Sequence, residues 1–131
     1  MAGKASFLYV KMPGATTPAD WASAMQNDAI KAPENCGSMD ELRQAIDVLD
    51  QRLVTLLARR QTYIERAAEL KSGREQVRDP ARIEDVVAKV VAAAKEAGLD
   101  PAIAEPVWRT LIEESIRHEF AAFDNKNQAA R

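Results

Sequence analysis

From Leu42 onward the apolar residues recur at alternating intervals of four and three: Leu42, Ile46, Leu49, Leu53, Leu56, then Tyr63, Ala67 and Leu70. Arg60 stands where the pattern requires one more apolar side chain. This spacing lines one face of a single long helix. Ser38, with Glu41 three residues on, has the signature of a capping box at its start, and "SGR" at 72 to 74 ends it. A helix of about 34 residues is roughly 50 Å long. A second helix opens at "DPAR", where Asp79 caps and Pro80 occupies the first turn. Its apolar face is Ile83, Val86, Val87, Val90, Val91 and Ala94, and Gly98 stops it. A third opens at "DPA" and is predicted to run to about Phe123, with Pro106 restarting or kinking it. Two helices of roughly 18 to 24 residues cannot cover both ends of the first in one globule. The expected fold is therefore all-α, three helices per subunit, in a homodimer whose long helices pack against each other.

The rest of the chain adds little to the core. Residues 1–37 hold Pro13, Pro18, Pro33, Gly3, Gly14 and Gly37 without a sustained period, and read as a loosely ordered extension that Trp21 pins in part. Residues 38–124 form the helical domain and 125–131 a C-terminal tail. With 131 residues and 47% apolar content, the chain has the size and composition of one globular domain. A formal net charge of −2 gives no basic field for nucleic acid or an anionic membrane, so any anion site must be local. One cysteine, Cys36, and one histidine, His118, provide neither a disulfide framework nor metal-ligand spacing. No apolar run approaches a membrane span, and "SFLYV" is too short for a signal-peptide core, so a cytoplasmic location is expected.

Polar residues inside the apolar stripes are the candidates for chemistry. About 20° of helical rotation separates Arg60 from Lys71, which puts both cations on one face about three turns apart. Arg43 lies roughly 260° from Arg60 and faces elsewhere, so in a dimer it can reach the other subunit's site. On the third helix, Trp108, Ile112, Ser115 and Glu119 follow the four-three spacing, which turns a hydroxyl and a carboxyl inward one turn apart. Taken singly, each has a bland alternative. A seam arginine can fix register, Lys71 can complement a helix end, Ser115 can simply pack, and Glu119 can pair with Arg60 or Lys71. Arg59, Arg66 and Arg74 read as ordinary solvated residues. Together, the inward cations and the hydroxyl–carboxyl pair make a water-poor pocket suited to a small polyanion.

The stretch "LRQAIDVLDQRLVTLLARRQTYIERAAELK", followed by "VRDPARI" and "LIEESIRHE", resembles the all-helical chorismate mutase family over about residues 38 to 122. The resemblance implies an intertwined dimer of three-helix subunits, in line with the length argument. It also implies that Arg60, Lys71 and Arg82 of one subunit, with Arg43 of the other, grip the two carboxylates and the ether oxygen of the substrate. Ser115 looks like the family's hydroxyl contact. Asp79 matches an aspartate near the substrate in part of the family, although capping a helix is a sufficient role for it.

Two positions depart from that pattern. Glu119 stands where the family usually has a glutamine on the ether oxygen, a substitution also found in some members, and a carboxyl donates there only while protonated. Ile83 replaces a glutamate that many mutases use as an acceptor for the ring hydroxyl. The isochorismate pyruvate-lyase branch of the same fold also lacks that glutamate, and "KAPENCGSMDELR" resembles its N-terminal segment, whereas Ser115 fits the mutases better. The resemblance thus implies a chorismate mutase converting chorismate to prephenate, with isochorismate pyruvate-lyase, giving salicylate and pyruvate, as the alternative. Lys71, Glu119 and Arg60 carry catalysis; Arg43, Asp79, Arg82 and Ser115 complete the binding of a small dicarboxylate. Both reactions rearrange bonds within one bound molecule, so no metal or other cofactor is expected. A helical dimer that only binds a partner, with its inward charges acting as register devices, is the reading from another class.

Overall fold

The computed structural model describes residues 30–129; the expectations for residues 1 to 29, Trp21 included, lie outside the described residues. Three helices make up most of the structure: α1 (Met39–Leu70), α2 (Pro80–Ala97) and α3 (Pro101–Ala129), with short 3-10 turns at Pro33–Asn35 and Arg74–Gln76. No strand occurs among the described residues, as the four-three spacing predicts. The chain divides between Arg60 and Gln61 into two compact units.

In the first unit, the start of α1 is fixed by its own side chains. The Glu41 N–H donates to the Ser38 hydroxyl at 3.2 Å, the expected cap. Glu41 Oε2 in turn accepts from the Gly37 N–H and from Lys31 Nζ, each at 3.0 Å. The reciprocal half of the box therefore reaches one residue further back than the pattern predicts. Cys36 is a free, half-buried thiol. Along α1 in this unit Ile46, Leu49, Leu53 and Leu56 stay open, with Leu49 47% and Leu53 55% exposed, while Leu42 is half-buried.

The second unit contains the buried core. Ala68 at the end of α1, Val77 in the connection, Val87 of α2, and Ile112, Ile116 and Phe123 of α3 form one cluster. Ile83, Val86, Val91, Trp108 and Phe120 pack around it. Asp79 Oδ1 accepts from the Arg82 N–H at 3.1 Å and Pro80 follows as the first helical residue, so α2 starts as the sequence predicts. It stops at Gly98, whose φ of 78° is open to glycine at little cost, and whose N–H and that of Leu99 satisfy the last carbonyls. Asp100 Oδ1 then accepts from the Ala102 N–H at 2.9 Å to begin α3. Of the two outcomes expected at Pro106, a restart is not seen. The helix is continuous through it, with the one intrahelical hydrogen bond of its missing N–H forgone. It also continues past Phe123, through most of the segment set apart as a tail.

Two arginine forks join the elements of this unit. Arg78 donates to both oxygens of Glu113 at 2.7 and 3.1 Å, and Arg109 to both oxygens of Glu84 at 3.0 and 3.1 Å. Hydrogen bonds from these guanidiniums hold the Glu113 and Glu84 carboxyls below the usual range. Both groups titrate lower folded than unfolded, so the pairs stabilise the fold above the ordinary carboxylate value, about pH 4. That contribution is lost as pH falls through the lower folded values. Circular-dichroism melts should show the melting temperature dropping on acidification below about pH 4. A Glu84→Gln/Glu113→Gln variant should melt lower at neutral pH and show a shallower acid decline. Equal acid slopes in the two proteins would rule these pairs out as contributors.

Candidate active site

The apolar stripe of α1 ends at Leu70, and Lys71 follows with its N–H still donating to the Ala67 carbonyl at 3.0 Å. The chain then turns on one amide. Gln76 Oε1 accepts from the Ser72 N–H at 2.9 Å, the Gly73 N–H at 3.2 Å and the Ser72 hydroxyl at 3.4 Å, which closes the 3-10 turn and delivers the chain to Asp79. From this corner Lys71 Nζ donates to Glu119 Oε2 of α3 at 2.5 Å. The Lys71 side chain is 27% exposed and Glu119 only 5%. Glu119 is the one charged residue fully buried among the described residues, and it is paired.

Beside this pair lies an open cleft of about 740 Å³ whose walls include Leu70, Lys71, Gln76, Arg78 and Asp79. Of the expected site residues, Lys71 and Asp79 therefore share the cleft, and Glu119 meets Lys71. Asp79 carries its capping bond there. Ser115 is half-buried on α3, one turn before Glu119. Arg82 is exposed and donates to Asp85 Oδ2 of its own helix at 2.6 Å. Arg43, exposed, and Arg60, half-buried, both lie on α1 in the first unit. Ile83 packs against the core cluster and offers no acceptor.

Several contributors were not legible as site residues. Gln76 holds the turn after Lys71 through backbone amides, and its position carries no periodic signal. Arg74, read as a solvated cation, donates to Asp124 at 3.1 Å and lies over the Phe120 ring at 4.3 Å. Arg78 combines a place on the cleft wall with its fork to Glu113. Exposed ion pairs of this kind contribute little to stability, so Arg78 can exchange Glu113 for an anionic ligand at small cost. An ammonium has three donors, of which Glu119 takes one, and Arg78 adds a guanidinium to the cleft wall beside the carboxylates of Glu75 and Asp79.

Three helices with a half-buried lysine paired to a buried glutamate beside an open cleft make an all-α fold with a candidate small-molecule site. The chain belongs to the chorismate mutase type II family, which it matches over residues 42–120. That span includes every expected site residue from Arg43 to Glu119. The chain is also 30% identical over 83 residues to the isochorismate pyruvate lyase of Pseudomonas aeruginosa, an alignment covering 63% of this chain and 82% of that protein. No helix among the described residues is long and apolar enough to cross a membrane.

Proposed function

We propose that the protein is a chorismate mutase in which Lys71 and Glu119 act on the ether oxygen of the substrate. The observation that carries the reading is the buried Lys71–Glu119 pair at the edge of the cleft. In the rearrangement the ether C–O bond breaks while a C–C bond forms within the same molecule, and negative charge builds on the departing oxygen. Lys71 meets that charge with a donor not used on Glu119, and Glu119, an ion-paired carboxylate in the free protein and protonated in the substrate complex, supplies a second. Arg60 and Arg82, together with Arg43 supplied by a second copy of the chain, clamp the two carboxylates, Ser115 adds a hydroxyl contact, and Asp79 keeps the cleft wall in place by capping α2. The protein's contribution is to hold the reactive conformer and to oppose charge separation.

A second reading, isochorismate pyruvate lyase, is supported by the P. aeruginosa relative and by Ile83. There the same C–O bond breaks, but a ring hydrogen passes to the departing enolpyruvyl group to give pyruvate. The test is to incubate the full chain with chorismate and with isochorismate in parallel and to identify the products. Prephenate from chorismate establishes the mutase; salicylate and pyruvate from isochorismate, without prephenate, establish the lyase. Turnover of neither would leave a binding protein.

The reading also requires a second copy of the chain. Tyr63 and Leu70 are 64% and 69% exposed on α1, continuing the open seam seen at Leu49 and Leu53. A second α1 is the partner whose own seam matches it. Sedimentation should therefore find a dimer. Mixing Arg43→Ala with Lys71→Ala chains should restore part of the lost activity, because heterodimers then hold one site with both lesions and one with neither. Confirmed subunit exchange with no recovery would place Arg43 outside the partner's site.

A further inference from the structure

The C-terminus of α1 has no glycine stop. Gly98 is the only residue with positive φ among those described, so no left-handed cap satisfies the carbonyls around Lys71. They are met instead from α3. Lys126 Nζ donates to the carbonyls of Ala68 at 2.9 Å, Glu69 at 3.3 Å and Lys71 at 2.9 Å. Three ammonium donors thus meet three backbone acceptors, and the charge sits at the negative end of the α1 dipole. The Phe123 ring lies 4.5 Å from the same nitrogen. Glu119 and Lys126 are about two turns apart on one face of α3, so this single helix holds Lys71 at both ends, backbone through Lys126 and side chain through Glu119.

We infer that Lys126 is a positioning residue for Lys71, setting the direction in which its ammonium enters the cleft. The inference rests on the role given to Lys71 under the proposed function. Losing the Lys126 ammonium frees the last peptide of the α1 end to rotate. Lys71 then leaves its line to Glu119 and to the reacting oxygen, and small displacements of a reacting group cost rate more than affinity.

The experiment compares the full-length wild type with Lys126→Met, which keeps the aliphatic stem over Phe123, and with Lys126→Arg, which keeps charge and donors. Two readouts are taken well below the melting temperature: the nitrogen-15 NMR signal of the Lys71 ammonium, and kcat and KM on whichever of chorismate and isochorismate the wild type converts. In Lys126→Met the Lys71 ammonium signal should broaden beyond detection and kcat should fall about tenfold, with KM changed by less than about twofold. Lys126→Arg should restore both. If Lys126→Met does not fold, Lys126→Gln, with an amide donor in place of the ammonium, takes its role. A sharp, unshifted Lys71 signal in the folded variant overturns the inference, as does unchanged kcat in an otherwise active enzyme. Should the wild type convert neither substrate, the catalytic reading falls while the ammonium signal still decides whether Lys126 positions Lys71.

Discussion

Lys71→Ala should lower turnover about a hundredfold, corresponding to roughly 3 kcal/mol of lost transition-state stabilisation, by analogy with the loss of an oxyanion donor. The substitution has a second consequence that the structure makes plain. Glu119 is 5% exposed and Lys71 is its ion-pair partner, so the single variant leaves a buried carboxylate without its cation. Breaking such a pair costs up to about 3 kcal/mol of stability. The double variant Lys71→Ala/Glu119→Gln separates the two effects, because it removes the orphaned charge along with the lysine. It should melt close to the wild type and remain as inactive as Lys71→Ala. If the double variant recovers turnover together with stability, Lys71 is a structural cation and the site lies elsewhere.

The second large effect is expected at Glu119 itself. Glu119→Ala should lose about a hundredfold in kcat, since it removes both the acceptor that holds Lys71 and the donor proposed for the ether oxygen. Glu119→Gln should stay within about tenfold of the wild type, because an amide accepts from Lys71 through its oxygen and donates through its nitrogen without needing a proton. An inactive Glu119→Gln beside an active Glu119→Ala would remove Glu119 from the reaction.

What was legible in the sequence was local or periodic. Asp79, Pro80 and Gly98 bound α2 because caps act over one turn, and the four-three spacing shows α1 because its stripe repeats. Lys71 and Glu119 could be singled out for the same reason, as polar groups at positions where each helix otherwise turns apolar side chains inward. That they would pair with each other could not be read, since it depends on where the chain leaves α1. The corner that decides it is made by Gln76 bonding to the backbone of Ser72 and Gly73. Lys126 was hidden for a related reason: its partners are carbonyls, which every residue has, so nothing in the composition marks where they are. The apolar pattern fades after Phe123, yet α3 continues because its next turn is tied to α1 through that lysine.

The bond from Lys71 to Glu119 spans 48 residues, and the one from Lys126 to the Lys71 carbonyl spans 55. A ribosome making this chain releases α1 and α2 long before the residues that hold Lys71 have emerged. Until then the α1 end carries open carbonyls and a lysine with no fixed direction. A nascent chain that stops within α3 short of Glu119 therefore lacks both ties that hold Lys71.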